Sequence, residues 1–396
     1  MSQKLYKGFR AAFEKGEPWS CYGALDNVQM INATKYQPCI YVSGWQCSST
    51  HIVGTNEPGP DFADYPMNTL PDKVDQFMKA QILHDRKQNE ERSKMTAAER
   101  TATPRRDYFR PCIADADAGF GGITSVMKLT KLFIEAGAGG MHLEDQKPGV
   151  KKCGHLGGKV LVSVREHLTR LQAARLQSDI MGCDIVIVAR TDSLDASFLD
   201  NNVDPIDHPW IMGCVDPADL SNTLTFVDAG LAQIKKSLTG EKQQNALEFW
   251  NTNAKKMSLF QAQKYAKENG FPFYFDWESN RTDEGYYKLK KGDIDYPVAR
   301  AIAFADYADL VWPETHSPDF AEAKEFAEKV HAVKPHCMLG YNNSPSFNWD
   351  LYFKKSEDLE AFIPKMGKLG YVWQFVTLAG FHMDALISEV FSRNFA

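Results

Sequence analysis

The segment Lys151-Lys-Cys-Gly-His-Leu-Gly-Gly158 holds the most specific arrangement of reactive side chains in the chain. Cys153 stands between two lysines and His155, and a positive field of this kind lowers the pKa of a thiol. The glycines allow the loop to bend and bring backbone N–H groups near a ligand. A single cysteine is more often a core residue, but these flanking charges favour a role as proton donor, base or nucleophile.

Two aspartates lie in a second segment, Ala114-Asp-Ala-Asp-Ala-Gly-Phe-Gly-Gly122, at the end of a short apolar run. Alternate residues of a strand share one face, so Asp115 and Asp117 are expected to point the same way. Two carboxylates together with water suit Mg²⁺, which prefers oxygen ligands. The alternative is a solvated turn rich in aspartate. Glu144 and Asp145 end another apolar run and extend the predicted acidic ring.

These side chains belong to a pattern of eight short apolar runs, each ending in a polar or charged residue. The runs are Ile40–Trp45, Cys112–Asp117, Met141–Asp145, Ile185–Asp192, Phe273–Trp277, Leu310–Glu314, Met338–Asn342 and Trp373–Thr377. Such runs are typical of strands buried on both faces of a parallel sheet. The pattern predicts an α/β fold, a (β/α)₈ TIM-type barrel, whose C-terminal strand ends meet at one mouth that carries the chemistry. Four of the runs bring carboxylates to that mouth: Asp115, Asp117, Glu144, Asp145, Asp276 and Glu314.

The segments between the runs predict the helices of this barrel. Apolar residues recur every three to four positions over Ile123–Ala136, and the glycines of 137–140 predict the end of that helix. Ser317-Pro-Asp319 predicts the start of another. The stretch from about 194 to 270 is too long for an ordinary βα connection. We therefore expect a single barrel domain over residues 1–396, with a helical insertion on its rim between the fourth and fifth runs.

Composition limits the classes of function. A net charge of −6 and a pI of about 6.0 argue against a nucleic-acid partner. No run approaches the roughly 18 apolar residues that span a membrane, and the N-terminus lacks the apolar core of a signal peptide. None of the eight cysteines forms a Cys-x-x-Cys pair, so reduced thiols in a cytosol-like compartment are expected.

Eight motifs resemble those of isocitrate lyase, a family of the isocitrate lyase/phosphoenolpyruvate mutase superfamily, and follow that family's order. They are Ser43-Gly-Trp-Gln, Ala114-Asp-Ala-Asp-Ala-Gly, His142-Leu-Glu-Asp-Gln, Lys151-Lys-Cys-Gly-His, Ala189-Arg-Thr-Asp, Trp312-Pro-Glu-Thr, Asn342-Asn-Ser-Pro-Ser-Phe-Asn-Trp and Gln374-Phe-Val-Thr-Leu-Ala-Gly-Phe-His. The Lys-Lys-Cys-Gly-His motif is highly specific. The resemblance extends from about residue 20 to the end of the chain.

The resemblance implies a Mg²⁺ ion, with Mn²⁺ as an alternative, that binds the hydroxyl and a carboxylate of the substrate. Asp115 matches the direct ligand, and Asp61, Asp117 and Glu144 match carboxylates that act through water. Such an ion stabilises the alkoxide that forms as a C–C bond breaks. The residues that match substrate contacts are Ser43, Gly44, Trp45, Gly154, Arg190, Glu314, Asn342, Ser344, Ser346 and Thr377.

The reaction implied is the reversible aldol cleavage of isocitrate to glyoxylate and succinate, a carbon–carbon lyase step of the glyoxylate cycle. Cys153 matches the group that protonates the carbanion, His155 completes its loop, and Tyr41 is the candidate for the other proton transfer. The implied partners are these small molecules, with no nucleic acid and no membrane, in a homotetramer. Members of the family occur in the cytoplasm or in peroxisomes and glyoxysomes, and no targeting signal is legible here.

Two alternatives to this reading are methylisocitrate lyase, which gives pyruvate and succinate, and a catalytically impaired, truncated homologue. Lys152, Phe375 and Thr377 favour the unmethylated substrate. Relative to the family pattern, both terminal extensions are expected to be shortened, which bears on closure of the site and on tetramer assembly. Asn343 stands where many members have an apolar residue or a cysteine. Phosphonopyruvate-type enzymes share the acidic mouth but lack most of the other motifs.

Overall fold

Seven of the eight short apolar runs supply strands of a parallel β-barrel in a computed structural model, which describes residues 1–52, 61–154 and 156–396. The eight barrel strands follow the order β1-β13-β12-β11-β6-β4-β3-β2. The strands of the described chain are β1 (Trp19–Tyr22), β2 (Ile40–Val42), β3 (Cys112–Asp115), β4 (Gly140–Glu144), β5 (Val160–Leu161), β6 (Val186–Thr191), β7 (Phe198–Leu199), β8 (Met212–Cys214), β9 (Thr223–Thr225), β10 (Tyr287–Lys288), β11 (Leu310–Pro313), β12 (Met338–Asn342) and β13 (Tyr371–Val376).

Helices alternate with the barrel strands and cover their outer faces. The α-helices are α1 (Ser2–Lys15), α2 (Asn27–Ala33), α3 (Gly44–Thr50), α4 (Thr69–Ser93), α5 (Ala97–Ala102), α6 (Ile123–Ala136), α7 (Val164–Ile180), α8 (Phe226–Ser237), α9 (Gly240–Asn253), α10 (Leu259–Glu268), α11 (Asp295–Phe304), α12 (Phe320–Val333), α13 (Trp349–Tyr352), α14 (Ser356–Lys368) and α15 (Ala379–Phe395). The predicted bounds of α6 are confirmed, because Gly137 ends it with a left-handed φ of 88°. Asp319 caps α12 through its side chain, as predicted.

Parallel pairing carries all barrel strands in one direction around the ring. A parallel bridge between Gly23 and Tyr41 joins the two remaining edges, β1 and β2, so the ring is nearly closed. Within the ring, Glu144 of β4 lies opposite Arg190 of β6. The predicted (β/α)₈ TIM-type barrel is therefore confirmed, and the C-terminal strand ends share one mouth.

One predicted strand is wrong, and one barrel strand was missed. Phe273–Trp277 does not enter the ring; Asp276 makes an isolated antiparallel bridge with Cys214. Its aromatic residues instead pack in the insertion, where Phe275 is buried beside Trp250. Asp276 is therefore absent from the mouth. The strand that the sequence pattern missed is β1, which pairs with β13 from Trp19 to Tyr22. It is short and is interrupted by the polar Ser20, so it lacks a continuous apolar run.

The barrel interior is a packed core that α1 closes from below. Leu5 and Phe9 of α1 belong to the same buried cluster as Trp312 and Trp373 of the barrel strands. Such interior packing is normal for this architecture, which encloses side chains and no pore. Chemistry is thereby confined to the opposite, C-terminal end.

The long connection between β6 and β11 has a hydrophobic core of its own. Helices α8, α9 and α10 contribute to a buried cluster that contains Phe226 and Trp250, and the Trp250 ring packs edge-on against Phe271 at 5.6 Å. Small strand pairs accompany them, including the antiparallel pair of β8 and β9. In the structure this excursion follows the fifth barrel strand, because β1 precedes those counted from the sequence.

Asp145 was predicted at the mouth, and this is wrong. Neighbouring residues of a strand point to opposite faces, so Glu144 faces the interior and Asp145 faces outward. Its carboxylate accepts hydrogen bonds from Thr191 Oγ1 (2.6 Å) and from Arg300 Nη1 (2.8 Å). Arg300 is fully buried and also contacts Asp207 at 2.7 Å. Asp145 thus holds α11 against the barrel wall.

His167 on α7 is a buried imidazole with unsatisfied nitrogens. Its ring packs against Phe304 at 4.6 Å, and neither nitrogen has a hydrogen-bond partner among the described residues. Burial, reinforced by Arg170 and Arg300, lowers the pKa of His167 well below its usual value. The folded protein therefore holds this ring neutral.

Replacing His167 should make the free energy of unfolding less dependent on pH below about pH 6.5. Because its pKa is depressed in the fold, the unfolded chain binds a proton first as the pH falls below about 6.5. This one extra proton on the unfolded chain lowers the free energy of unfolding by about 1.4 kcal/mol for each pH unit. We expect His167→Phe to lose less stability than the wild type between about pH 6.5 and 5 in urea titrations. Equal slopes for the wild type and His167→Phe would contradict this.

Candidate active site

A cavity of about 410 Å³, its open mouth included, lies at the C-terminal end of the barrel. Its wall combines acidic, basic, amide, hydroxyl and thiol groups with two indole rings. The lining residues are Tyr41, Trp45, Asp61, Asp115, Lys151, Cys153, Gly154, Arg190, Trp312, Glu314, Asn342, Ser344, Thr377 and Leu378. The polar residues come from the ends of different strands and the loops after them, as expected for a barrel enzyme.

An acidic cluster occupies one side of this cavity. Asp61, Asp115 and Asp117 each offer a carboxylate oxygen within 4.8 Å of the others, and all three are buried. Glu144 is fully buried next to them. Hard oxygen donors at this spacing fit a divalent cation, so the donor set is consistent with a metal centre.

Lys151 extends into the same cluster, and its side chain is only 3% exposed. Its Nζ lies 2.9 Å from Asp61 Oδ2, 2.5 Å from Asp117 Oδ1 and 3.8 Å from Glu144 Oε1. One ammonium group therefore forms ion pairs with three carboxylates. Ion pairs buried to this degree are retained only where charge and hydrogen bonding are matched closely.

Crowding of like charges changes the acidity of these groups. Burial, and then the neighbouring Asp61, raise the pKa of Asp117 well above its usual value. Burial raises the pKa of Glu144 to about 8, even though Lys151 and Arg190 oppose the shift. Asp115 differs: burial acts to raise its pKa, but His142, Lys151 and Arg190 together hold it below the usual value. Asp115 is therefore the carboxylate best prepared to stay ionised.

Local backbone geometry aims the aspartates at one another. Asp117 adopts a left-handed φ of 48°, which is uncommon outside glycine, asparagine and aspartate. Its N–H donates to Asp115 Oδ1 at 2.9 Å, and the hydroxyl of Tyr65 donates to its carboxylate. These contacts hold the turn after β3 in place despite its strain.

Gly44 brings the backbone of α3 against the acidic cluster. Its N–H donates to Asp115 Oδ2 at 3.2 Å. A Cβ at this position would lie 2.7 Å from Asp115 Oδ2, 2.8 Å from Asp61 Oδ2 and 2.8 Å from Tyr65 Oη. The site therefore requires glycine here. Ser43 caps α3 by accepting from Gln46 N–H and is buried behind the cavity wall.

Arg190 is the cation on the opposite side of Glu144. Asp192 accepts from its Nε and Nη2, each at 3.0 Å, and the guanidinium lies 4.6 Å from the Trp312 ring centroid. One edge of the guanidinium is thereby fixed. The edge formed by its two Nη groups faces Glu144 and Glu314, with Glu144 Oε2 at 3.4 Å and Glu314 Oε1 at 3.8 Å. A fixed guanidinium of this kind suits a carboxylate ligand.

The loop that carries Cys153 lies close to Arg190. Cys153 is 6% exposed and lines the cavity together with Gly154. A Cβ on Gly154 would fall 2.3 Å from Glu314 Oε1 and 2.7 Å from Arg190 Nη2. Lys159 Nζ donates to the Gly154 carbonyl at 2.7 Å, which anchors the loop. His155, predicted to act here, lies outside the described residues.

Neutral hydrogen-bonding groups form the third part of the wall. Thr377 Oγ1 donates to Asn342 Oδ1 at 2.7 Å, which directs the amide N–H₂ of Asn342 away from that bond. Ser344 Oγ accepts from Ser346 N–H at 3.1 Å and keeps its own proton for another acceptor. Ser346 itself is exposed and is not part of the cavity wall. Asn342 and Ser344 thus remain as donors for an anionic group.

Tyr41 closes the floor of the site beneath Asp115. Its hydroxyl lies 2.9 Å from His142 Nε2 and 3.4 Å from Asp115 Oδ2. Burial and the adjacent Asp115 raise the pKa of Tyr41 well above its usual value, so the phenol keeps its proton. Burial lowers the pKa of His142 to about 4, which leaves that imidazole neutral.

Most residues singled out in the sequence converge on this cavity, but several contributors were missed. Lys151 was noted only as a source of positive field, and Trp312 and Leu378 gave no signal beyond their motifs. Tyr65 and Lys159, which hold the aspartates and the thiol loop, lie outside any reactive pattern. Phe375, weighed as a specificity residue, is fully buried and stacks on Trp373 with ring centroids 4.1 Å apart.

Comparison with known proteins places this site in a family. The sequence model described as the isocitrate lyase family matches residues 1–225 and 218–396. Isocitrate lyase of Oryza sativa subsp. japonica is 46% identical over 432 residues, covering 100% of this chain and 75% of the relative. The chain belongs to the isocitrate lyase family.

Further relatives of this isocitrate lyase family member include both isocitrate lyases and 2-methylisocitrate lyases. Isocitrate lyase of Saccharomyces cerevisiae is 44% identical over 100% of this chain and 77% of the relative. The mitochondrial 2-methylisocitrate lyase of Hypocrea atroviridis is 41% identical over 100% and 75%. A solved structure of 2,3-dimethylmalate lyase shares the fold, with a TM-score of 0.54, 17% identity, and coverage of 98% of this chain and 83% of that one.

Substitution of Gly44 tests the geometry of the acidic cluster. We expect Gly44→Ala to push Asp115 and Asp61 apart and to weaken Mg²⁺ or Mn²⁺ binding by roughly tenfold or more, as measured by calorimetry. Gly122→Ala is the matched control, because nothing lies within 4 Å of its added Cβ. Equal affinities for the two variants would contradict the assigned crowding.

Proposed function

We propose that this protein cleaves isocitrate reversibly to glyoxylate and succinate with the aid of Mg²⁺, for which Mn²⁺ can substitute. The observation that carries the proposal is that Asp115 and Cys153 line one cavity. A metal-binding carboxylate and a thiol proton donor must both reach the same substrate for this reaction. Membership of the isocitrate lyase family supports the choice of substrate.

Arg190 and the neutral hydrogen-bonding wall bind the two ends of the substrate. Arg190 presents its outer guanidinium edge to the carboxylate of the glyoxylate portion, while Asp192 holds the other edge. Asn342 and Ser344 donate to the carboxylates of the succinate portion, and Thr377 positions Asn342. Fixing both ends places the bond to be broken near the acidic cluster, which lowers the entropic part of the barrier.

Asp115, with Asp61, Asp117 and Glu144 around it, would hold the metal. When bound, the ion supplies Lewis-acid stabilisation of the substrate oxygen from which the C–C bond breaks. Asp115 is suited to direct ligation because it stays ionised, whereas the raised pKa values of Asp117 and Glu144 suit contacts through water.

Proton transfers fall to groups on opposite sides of the substrate. Cys153 donates a proton to the carbanion that is left on succinate after cleavage, and the low exposure of the thiol excludes competing water. Tyr41 is assigned to the proton at the hydroxyl end, relayed through its contact with His142. In cleavage the hydroxyl proton passes to the Tyr41 oxygen while the phenolic proton moves to Nε2 of the neutral His142. The C–C electron pair passes to the succinate portion, and the Cys153 thiol gives up its proton to complete succinate, which leaves a thiolate.

Assembly as a homotetramer is part of this proposal. Helix α15 presents a row of exposed apolar side chains that an isolated protomer would leave in water. They are Met383, Leu386, Ile387, Phe391 and Phe395. Among the described residues, no helix has the length and apolarity needed to cross a bilayer, and exposed apolar faces of this extent mark protein contacts.

A direct assay tests the activity and the substrate. With Mg²⁺ present, we expect glyoxylate from isocitrate, trapped as its phenylhydrazone, at a kcat/KM about ten times or more that for methylisocitrate. One methyl group alters binding by roughly 1–3 kcal/mol, so some activity on the larger substrate is expected. A preference for methylisocitrate would assign the protein to that reaction instead, and no product from either substrate would refute lyase activity.

Substitution of the thiol tests the proton donor. We expect Cys153→Ser to lower kcat by roughly 10²–10⁴-fold, because a hydroxyl is a far weaker acid than a thiol. Metal binding and the unfolding midpoint should stay near the wild-type values. Cys183→Ser is the control, since Cys183 lies away from the cavity and contacts Ser2. Near-normal turnover in Cys153→Ser would remove the thiol from the mechanism.

A further inference from the structure

The least expected group in the acidic cluster is a cation that belongs to the protein itself. The Lys151 ammonium contacts Asp61 and Asp117, two of the three aspartates whose oxygens converge within 4.8 Å. It thus stands among the same oxygen atoms that suit a divalent ion. A lysine and a divalent cation at these oxygens would repel each other.

We propose that Lys151 acts as a counterion supplied by the protein itself. In the metal-free protein its ammonium group lies in the acidic cluster, and when a divalent cation binds, the ammonium group moves away from Asp61 and Asp117. The inference rests on the metal dependence in the proposed function. It assigns to Lys151 a positioning role that is separate from the proton transfers.

The need for such a counterion follows from the local charge. Asp61, Asp115, Asp117 and Glu144 are all buried, at 0–6% exposure, where unpaired carboxylates are costly. Arg190 is committed to Asp192 on one edge and reaches Glu144 only at 3.4 Å. Among the described residues, Lys151 is the cation that lies within hydrogen-bonding distance of both Asp61 and Asp117.

The anchoring of the backbone next to Lys151 explains how its side chain could move alone. Gln146 Nε2 donates to the Lys152 carbonyl at 2.8 Å, and Gln146 Oε1 accepts from the Lys152 N–H at 3.0 Å. This pair of bonds fixes the main chain one residue after Lys151. Rotation of the long lysine side chain can therefore release the carboxylates without displacing the loop that carries Cys153.

The position of Lys151 also connects the metal to the thiol. Cys153 follows two residues later in the same loop, whose Gly154 is packed against Arg190 and Glu314. In the metal-free state the ammonium of this loop contacts Asp61 and Asp117. Once the cation replaces it, the ammonium is available to the anionic substrate that enters beside Cys153.

Calorimetry of Lys151→Met with MgCl₂ and MnCl₂ alone, without substrate, tests the counterion. Because a competing positive charge is removed, we expect the affinity for both ions to rise by about tenfold or more. In EDTA the variant should unfold at a lower temperature than the wild type, since three carboxylates lose their cation. The stabilisation gained on adding Mg²⁺ should then be larger in the variant.

Two further variants make the result specific. Lys152→Met removes the adjacent lysine, whose ammonium lies beside Gly158, and should leave ion affinity unchanged. Lys151→Arg keeps the charge and should stay within about threefold of the wild type. Equal shifts for Lys151→Met and Lys151→Arg would trace the effect to shape and overturn the proposal.

The failures of the two proposals are distinguishable. If the wild type binds the ions but Lys151→Met binds them equally or more weakly, only the counterion role is overturned. If the wild type binds neither ion, the metal dependence in the proposed function fails, and the counterion role fails with it. A gain in affinity confined to Lys151→Met supports the proposal even where the variant lacks turnover.

Discussion

Concentrated negative charge in a buried place is the constraint on which this site depends. Carboxylates from two strand ends and one loop share a pocket that excludes most water, and their repulsion must be balanced. The protein does so with Lys151, with the Gly44 N–H on Asp115 and with the Tyr65 hydroxyl on Asp117. Each of these contacts stabilises the metal-free fold and keeps the oxygens aimed at one point.

The barrel makes this concentration of charge achievable. Parallel register places Asp115 of β3 beside His142 of β4, and Glu144 of β4 beside Arg190 of β6. Asp115 and Glu144 therefore each have a nitrogen-bearing neighbour on the next strand. The outward-facing Asp145 binds Arg300 instead, so the same strand end serves the site on one side and the barrel wall on the other.

Much of the fold and the site could be predicted from local patterns, because apolar runs and their polar ends reflect strand burial directly. The run at Phe273–Trp277 misled for a physical reason: its aromatics are buried in the insertion, and burial there leaves the same pattern as burial in a sheet. Strand β1 lacked a continuous apolar signal. Roles that depend on three-dimensional neighbours, such as those of Lys151 and Tyr65, have no local pattern at all. The orientation of Asp145 could have been anticipated from the alternation of side chains along β4.

The separate hydrophobic core of the connection between β6 and β11 has an evolutionary consequence. Trp250 and its aromatic neighbours bury one another, and the barrel strands take no part in that cluster as described. Mutations, and even changes of length, in helices α8 to α10 can therefore accumulate without disturbing the strand register that positions the side chains of the cavity. Divergence among relatives should be tolerated more readily in this insertion than in the loops around the mouth, where a single added methyl group at Gly44 or Gly154 would collide with a charged side chain of the cavity.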